Sequence, residues 1–533
     1  MKKVGMKILL VPLAVIVAAL YYYVTIPAVN IHSSGFWMFL ALAVVVVTGL
    51  YALSKVKAKA EVKASKGVKL GILLLLVVAA VYVVGSILSS PIVNAKKYQQ
   101  LIKVEDRKFA EDIKEVDYRQ IPLLDRDSAT LLGNRKMGSM VDMVSQFEVS
   151  PLYTQINYQD TPTRVTPLVY ASAIKWFTNQ KNGIPAYIKI DMATQDTELV
   201  KLEKPIRYSQ SEFFNRNINR HLRFCYPTYI FDDLSFEIDE DGTPYWVCPV
   251  KKFNIGLFGG VTIGRVVLCN AVTGETEDYA VEDCPTWVDH VYAADLLTQL
   301  YDYHGMLQNG FINSVLGQKG CLMTTDGYNY LALEDDVWVY TGITSVSGDE
   351  SNVGFVLMNQ RTMECRYYEI PGAQEYSAMA SAEGQVQNLG YRSTFPLLLN
   401  ISGEPTYFMA LKDDAGLVKK YAMVNIKKYQ NVAIGDTVAA CEKAYNTMLK
   451  QSGIKVADSA QALSVSGKIS RIAQGVVEGN SHYYLMLEGH GEIFDVSVVD
   501  LIDVIRYEEG DTITLSYEEG SPANTVVGIG GEK

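Results

Sequence analysis

The stretch VVLCNAVTGETEDY, residues 266–279, places an apolar strand before Asn270, a polar turn after it and a second strand at its end. The same order recurs around Asp191, Asn359 and Asn425, each of which follows four mostly apolar residues. Because the spacing between these markers is irregular, they predict separate small α+β units and not a solenoid of equal repeats. The other three copies are YIKIDMATQDTELV (187–200), FVLMNQRTMECRYY (355–368) and YAMVNIKKYQNVAI (421–434).

Helical patterns lie between these strand pairs, for example in FFNRNINRHLRF and DTVAACEKAYNTMLK. Alternation of such helices with hairpins is typical of an α+β fold. We therefore expect residues 151–453 to form a series of small mixed α+β units. Their expected bounds are 151–205, 206–285, 286–372 and 373–453.

The segment VLCNAVTGETEDY, in which an apolar strand runs into a TGE turn, resembles the strand, turn and strand that close a PepSY domain. The other copies resemble it less because they lack the TGE, and the resemblance covers residues 160–450 in degenerate form. It implies small extracytoplasmic modules without catalysis. Modules of this family are associated with peptidase propeptides and with binding or inhibitory roles.

Three apolar runs precede these units, Ile8–Ala28, Phe36–Leu53 and Leu70–Leu88, and none contains Asp, Glu, Lys or Arg. About 20 apolar residues are needed for a helix to cross the hydrocarbon core of a bilayer. Residues 1–90 are therefore predicted to form a membrane anchor of three transmembrane helices.

The loop SKVKAKAEVKASKGVK, residues 54–69, predicts the orientation of this anchor because Lys and Arg in short loops stay in the cytoplasm. The loop at 29–34 has no Lys or Arg, whereas the amino terminus is lysine-rich. We expect a cytoplasmic amino terminus and an extracytoplasmic chain after about residue 90. A cleaved signal peptide at the first run is the alternative, but it would place the lysine loop outside.

Two further segments complete the predicted organisation. Residues 91–150, which include KKYQQLIKVEDRKFAEDIKEV, are interpreted as a helical stalk and connector. Residues 454–533 contain five short strand patterns, which resemble a small OB-type five-stranded β-barrel.

The chain has a net charge of −11, although its first 90 residues are basic, so the part after the anchor is strongly acidic. Such a charge disfavours nucleic acid or anionic lipid as the main partner. The same holds for the predicted barrel, which is rich in Asp and Glu. No sequence pattern indicates a cofactor.

Seven cysteines occur without a CxxC pair, which excludes a zinc knuckle or a thioredoxin-type motif. Cys248 and Cys269 lie on neighbouring strand patterns, so a disulfide between them is one reading. Burial of most cysteines as small free thiols is the other.

FEIDEDGTPYWVC places Glu237, Asp239 and Asp241 at the first positions of a calcium-loop pattern. The residue where the bidentate Glu should stand is Cys248, and an apolar strand begins where further ligands would be needed. We therefore reject a metal site and expect a hairpin turn with solvated acids.

Arginines and strand aromatics provide the candidate binding residues. Arg216, Arg220 and Arg223 share one helical region and form the basic patch of an acidic domain, suited to a carboxylate or phosphate. An exposed helix face paired with nearby acids is the simpler explanation. The aromatic candidates on the repeated strands are Tyr245, Trp246, Tyr330 and Tyr407.

No G-x-S-x-G, HExxH, S-x-x-K set or P-loop occurs in the sequence. We therefore expect a membrane-anchored, non-catalytic binding or scaffold protein of the bacterial envelope, with an envelope protein, a peptide or a wall polymer as partner. A cell-wall or peptide-processing hydrolase, or its regulator, is the alternative. Carboxylates or a Cys–His pair converging in one cleft would favour that alternative.

Overall fold

The computed structural model describes residues 2–56, 65–114, 121–345, 351–454, 463–477, 480–498, 501–518 and 523–530. The chain divides into two compact units, Met1–Met448 and Leu449–Lys533, and each is described by itself.

The first unit begins with three long helices, α1 (Lys2–Thr25), α2 (Ser34–Val56) and α3 (Lys66–Leu88). Among the described residues, α2 and α3 are long and apolar enough to cross a membrane, whereas the apolar part of α1 is the shorter stretch Val15–Thr25. The third span therefore stays a prediction. Most of the lysine loop, residues 57–64, lies outside the described residues.

Close packing joins α2 to α3. A Cβ at Gly71 would collide with the side chain of Thr48, so only glycine allows this approach. Small residues are typical where membrane helices pack, because they let two backbones come together. Many other apolar side chains of both helices are exposed, which suits contact with lipid.

The predicted helical stalk is wrong at residues 104–107, which form a strand and not a helix. Helix α4 (Pro91–Gln99) is followed by strand β1 (Val104–Arg107), which pairs in parallel with a strand at 365–368. Short helix α5 (Phe109–Asp112) and helix α6 (Arg126–Gly138) then lead into the sheets. This segment is part of the folded body because its strand partner lies more than 250 residues away in the sequence.

Four larger sheets make up the body, and each falls largely within one predicted unit. Their strands pair in the antiparallel sense, except that β1 is parallel to its neighbour in sheet III. Sheet I contains β2 (Phe147–Val149), β3 (Thr154–Tyr158), β4 (Thr161–Tyr170), β5 (Ile184–Asp191) and β6 (Thr197–Ile206). Sheet II contains β7 (Ser235–Ile238), β8 (Pro244–Ile255), β9 (Gly259–Asn270) and β10 (Thr276–Ala280).

Sheet III contains β1, β11 (Leu322–Thr324), β12 (Asn329–Leu333), β13 (Asp336–Ser345), β15 (Gly354–Asn359) and β16 (Cys365–Tyr368). Sheet IV contains β18 (Arg392–Ser393), β19 (Leu397–Ile401), β20 (Glu404–Lys412), β21 (Val418–Asn425) and β22 (Val432–Gly435). Strands β14 (Ser351–Asn352) and β17 (Gly372–Ala373) pair with each other.

Helices connect the sheets and complete the α+β architecture. They are α7 (Ala173–Asn179), α8 (Ile218–Cys225), α9 (Ala294–Met306), α10 (Gly310–Ile312), α11 (Glu375–Gln385) and α12 (Val438–Gln451). Helix α8 precedes sheet II, α9 precedes sheet III and α11 precedes sheet IV, as the alternation in the sequence predicts.

The four marker residues all close their turns with a side-chain oxygen. Oδ1 of Asn270 accepts hydrogen bonds from the backbone N–H groups of Val272 and Thr273, at 2.9 and 3.0 Å. Asp191 and Asn359 make the same pair of bonds, and Asn425 accepts one. An Asp or Asn at this position therefore stabilises each hairpin as an Asx turn.

The sheets share their cores and do not fold around separate ones. Trp246 and Cys248 of β8 pack into a core with sheet I, whereas Val247 between them packs into a core with sheet III. Sheets III and IV also meet, since the rings of Phe355 and Tyr407 have centroids 6.1 Å apart. Successive residues of a strand point to opposite faces, so sheet II is covered on both sides.

The second unit contains β23 (Leu463–Val477), β24 (Asn480–Leu487), β25 (Phe494–Ser497), β26 (Thr512–Glu518) and β27 (Asn524–Gly530). These strands close into a five-stranded ring in the order β23, β24, β25, β27, β26. The ring has its own core, which includes Ile469, Leu485, Phe494 and Ile513.

Candidate functional site

Helix α8 carries two of the predicted arginines and the turn before it carries the third. Asn217 caps the helix by accepting the backbone N–H of Arg220 at 3.3 Å, and Ile218 and Leu222 anchor it in the core of sheets I and II. The opposite face of α8 holds Arg220 and Arg223 towards the end of α1.

Two of these arginines bind the carboxyl end of α1. Nε of Arg220 donates to the carbonyl oxygen of Tyr23 at 3.3 Å, and its guanidinium lies 4.5 Å from the centre of the Tyr23 ring. Nε of Arg223 donates to the carbonyl oxygen of Ile26 at 2.9 Å, and Nη1 reaches those of Tyr226 and Tyr229. Cations at this position satisfy the last carbonyl groups of a helix and complement its dipole.

Burial lowers the pKa of Arg223. Arg216 has a different role, because its Nη1 donates to the carbonyl oxygen of Gln180 at 2.7 Å, within the body. Arg220 and Arg223 therefore donate to carbonyl groups at the end of α1, whereas Arg216 donates to the connection between β4 and β5 of sheet I.

The loop after α1 and the end of α3 are also fixed to the body. The N–H of Val29 donates to Pro227 at 2.8 Å, and Nδ1 of His32 donates to the carbonyl oxygen of Leu257 at 2.7 Å. At the end of α3, the hydroxyl of Tyr98 donates to the carbonyl oxygen of Ser89 at 2.6 Å. The anchor and the body of the first unit thus share a hydrogen-bonded joint.

The four aromatic candidates lie on strands of three different sheets. Trp246 and Tyr407 have 1% and 0% of their surface exposed, so both belong to the core. Tyr245 is half-buried, with its ring centroid 5.1 Å from that of Trp287. Tyr330 is half-buried against Tyr328, at 5.6 Å. Their use by a partner stays a prediction, and it concerns Tyr245 and Tyr330.

A pair of buried carboxyl groups lies where sheets I, II and III meet: Glu237 of the rejected calcium pattern and Asp289, which the sequence pattern did not single out. Glu237 accepts the backbone N–H groups of Asp289 and His290 at 2.9 and 3.1 Å and the hydroxyl of Ser235 at 3.0 Å. Asp289 accepts the backbone N–H of Asn157 in β3 at 2.7 Å. The expectation of solvated acids is therefore wrong for Glu237, which is completely buried.

Burial dominates the electrostatics of this pair. It raises the pKa of Glu237 to about 7 and that of Asp289 well above its usual range. A strand carboxylate flanked by Phe236 and Ile238 is the sequence signal that could have pointed to this position.

His290 completes the cluster as a neutral ring. Its Nε2 donates to the carbonyl oxygen of Gln155 at 2.9 Å, and its Nδ1 accepts from the Gln360 amide at 3.3 Å. Burial lowers the pKa of His290 to about 4. Within the described residues, several buried polar atoms in this region have no hydrogen-bond partner, among them Arg164 Nε, Gln155 Nε2 and Asp289 Oδ1.

Cys225 and His221 form the one Cys–His contact in the described part of the chain. Their Sγ and Nε2 atoms are 3.9 Å apart. Nε2 of His221 donates to the carbonyl oxygen of Gly274 at 2.8 Å, and burial raises the pKa of the Cys225 thiol. A nucleophilic cysteine requires a lowered pKa, so this contact lacks the activation that catalysis needs.

All seven cysteines are free and six of them are buried. The predicted disulfide between Cys248 and Cys269 is therefore wrong, and the alternative prediction of buried free thiols is confirmed.

The rejected calcium pattern forms the β7–β8 turn. There Oδ1 of Asp239 accepts the N–H groups of Asp241 and Thr243 at 3.0 and 2.8 Å. Over the described ranges, no group of three or more His, Cys, Asp or Glu is placed to hold a metal ion.

No known protein family matches the sequence, and no curated protein matches it. Two solved structures of Synechocystis apocarotenoid oxygenase variants show 10% identity and a TM-score of 0.14. One comparison covers 66% of this chain and 58% of the oxygenase, and the other covers 73% and 66%. This chain thus spans less than two thirds of the oxygenase length, and similarity at this level carries no argument about fold or activity.

Proposed function

We propose that the protein is a membrane-anchored, extracytoplasmic binding or scaffold protein of the bacterial cell envelope, without catalytic activity. The observation that carries the proposal is the joint between anchor and body. Arg220, Arg223 and His32 tie α8 and the β8–β9 turn to the outer end of α1. A joint of this kind holds a binding surface at a fixed height above a membrane, which is what a scaffold requires.

The multi-pass topology is part of the same proposal. Three spans, with the amino terminus in the cytoplasm, follow from the apolar runs and from the lysine-rich loop at 54–69. Helices α2 and α3, with outward-facing apolar side chains, support the anchoring.

The absence of catalysis is supported by the state of the titratable groups. Glu237 and Asp289 have 0% and 1% of their surface exposed, and backbone N–H groups hold both carboxyls in the core. A substrate would have no access to them, so their perturbed pKa values are explained by a structural role.

The module types also belong to the proposal. Repeated hairpins closed by Asx turns, each sheet after the first preceded by a helix, support PepSY-like units. The closed five-stranded ring, in which β25 and β27 pair in parallel, supports an OB-like barrel. Both types would serve to bind a protein, peptide or wall polymer.

Impermeant thiol labelling in intact cells tests the location. Cys225 is the exposed native cysteine, so Cys225→Ser supplies the background. In that background Lys59→Cys should stay unlabelled and Glu488→Cys should react. The reverse pattern would contradict the proposed orientation.

Cross-linking in intact cells tests the scaffold role. Partners captured by the tagged full-length protein should be lost in Arg220→Glu/Arg223→Glu, which breaks the joint, and kept in Arg216→Glu, whose acceptor lies within the body. Identical capture by all three proteins, or hydrolysis of wall peptides by the purified protein, would contradict the proposal.

A further inference from the structure

We propose that two apolar patches on the body are covered by lipid of the bilayer that the helices cross. The patches lie in its interfacial layer, where lipid headgroups meet acyl chains. This inference rests on the membrane anchoring proposed above and adds a second contact with lipid. The first patch consists of Ile174, Phe177, Phe213, Phe214 and Phe224, and the second of Ile92, Val93, Ile312, Val315 and Leu316. All ten side chains are exposed.

The first patch is an aromatic surface around Trp176. The rings of Phe213 and Phe214 have centroids 4.6 and 6.0 Å from that of Trp176, and Phe177 is 70% exposed. Contiguous exposed apolar patches are uncommon on soluble proteins and mark contact with a partner or a membrane.

The fold holds this patch outward. The buried carboxylate of Glu212 accepts the Nε1–H of Trp176 and the hydroxyl of Tyr170, both at 2.7 Å. Phe214 has a φ of 53°, a conformation that a bulky side chain rarely adopts. Strained residues of this kind persist where the surroundings fix them, and they cluster at functional surfaces.

The first patch continues directly into the end of α1. Arg220 connects the two, because its Nε donates to the carbonyl oxygen of Tyr23 at 3.3 Å and its Nη1 donates to that of Phe214 at 2.9 Å. The ring of Phe224 lies 6.3 Å from that of Tyr23. The aromatic side chains therefore stand at the level where α1 leaves the apolar layer.

The second patch continues in the same way from the end of α3. Ile92 and Val93 lie on α4, four and five residues after the last residue of α3. Helix α10 packs on α4, and the helical turn that follows it, residues 313–317, presents Leu316 with 81% of its surface exposed.

One turn places both helix ends, and hence both patches, on the same side of the body. In the β8–β9 connection, the carbonyl oxygen of Leu257 accepts Nδ1–H of His32, which follows α1. The N–H of Phe258 donates to Oγ of Ser89, which follows α3, at 3.1 Å. A Cβ at Gly259 would collide with the carbonyl oxygen of Ser89, so the approach needs glycine.

Continuity with the helices favours lipid over a protein partner. A protein on either patch would have to enter the layer occupied by the lipid around α1 and α3. Tyrosine concentrates at membrane interfaces, and Tyr23 of α1 and Tyr82 of α3 lie beside Phe224 and Phe258, with ring centroids 6.3 and 5.1 Å apart.

Spin-label accessibility of the full-length protein in vesicles of phosphatidylethanolamine and phosphatidylglycerol tests the inference. Labels at Phe177→Cys and Leu316→Cys, in the Cys225→Ser background, report on the two patches. Val77→Cys in α3 is the lipid control, and Leu389→Cys, next to sheet IV, is the water control. The readout is the ratio of collisions with dissolved oxygen to collisions with a water-soluble nickel chelate.

We expect ratios at residues 177 and 316 that are several-fold above the ratio at residue 389 and below that at residue 77, which lies at the middle of α3. Since no other protein is present, such ratios identify lipid as the occupant. Water-like ratios at either patch, with a lipid-like ratio at residue 77, overturn the inference and leave the anchoring intact. A water-like ratio at residue 77 overturns the anchoring and this inference with it.

Discussion

The carboxyl groups of Glu237 and Asp289 connect three sheets through backbone N–H groups, at the cost of removing both acids from water. Two neighbouring buried acids cannot both ionise readily, so the pair retains a proton over a range of pH where free acids have lost theirs. The protonation state of the pair therefore couples the stability of the body to pH.

Substitution of Asp289 by Asn should flatten this pH dependence. A carboxyl whose pKa rises on folding adds stability below its unfolded pKa, about 3.9 for Asp, and that stability is lost as the pH rises through the folded pKa. Burial lowers the pKa of His290 to about 4, so protonation of this side chain changes the stability only below about pH 6.5. Above about pH 6.5, where His290 no longer contributes, the wild type should therefore lose more stability with rising pH than Asp289→Asn, by up to about 1.4 kcal/mol per pH unit.

Melting temperatures in detergent at several pH values provide the measurement. Asp241→Asn, at an exposed position of the β7–β8 turn, is the matched control and should follow the wild type. Parallel curves for Asp289→Asn and the wild type would mean that Asp289 is already ionised at neutral pH.

At the level of single elements, the Asx turns explain why the sequence predicts the sheets so well. The markers Asp191, Asn270, Asn359 and Asn425 act through bonds to residues two or three positions away, and such local bonds leave a local pattern.

Replacing Asn270 by Ala removes two hydrogen bonds and should cost about 1–2 kcal/mol of unfolding free energy. Asn270→Asp keeps the acceptor oxygen and should be close to neutral in denaturant titrations; equal losses in both variants would exclude the Asx turn as the cause.

The elements that sequence reasoning missed depend on distant partners. Strand β1 looked helical because its partner, Cys365–Tyr368, follows more than 250 residues later. Glu237 looked solvated because it is followed by the acidic turn, yet sheets cover both faces of β7, so alternation of polar and apolar residues no longer reports exposure. Nothing near Arg220 or Arg223 in the sequence indicates that their acceptors are carbonyl groups at the end of α1.

Because Arg223 belongs to the joint between α8 and α1, we expect its replacement to destabilise the protein more than replacement of an exposed arginine. Arg223→Met keeps the apolar stem but leaves the carbonyl oxygens of Ile26, Tyr226 and Tyr229 without this donor, which should cost about 2–3 kcal/mol. Arg392 forms an exposed ion pair with Glu383 at 3.0 Å, so Arg392→Met should cost less than about 1 kcal/mol. Thermal unfolding in detergent compares the two, and equal losses would show that the joint adds no stability.

For the whole molecule, the division into two units has a direct consequence for folding. The ring of β23 to β27 contains its own closed set of strand pairs and its own core. Five strands around one core in fewer than 85 residues are near the lower limit for a domain that folds without metals or disulfides. The fragment 455–533, which begins after α12, should therefore fold alone but with modest stability.

A cooperative thermal transition of fragment 455–533, followed by circular dichroism, is the expected result. Phe494→Ala, which deletes a core ring with 1% exposure, should abolish the transition because such truncations cost about 3–5 kcal/mol, most of what so small a core provides. Val476→Ala, at a position with 70% exposure, should leave the midpoint nearly unchanged. A disordered wild-type fragment would show that the ring needs the rest of the chain to fold, and a fragment insensitive to Phe494→Ala would show that its structure in isolation is not this ring.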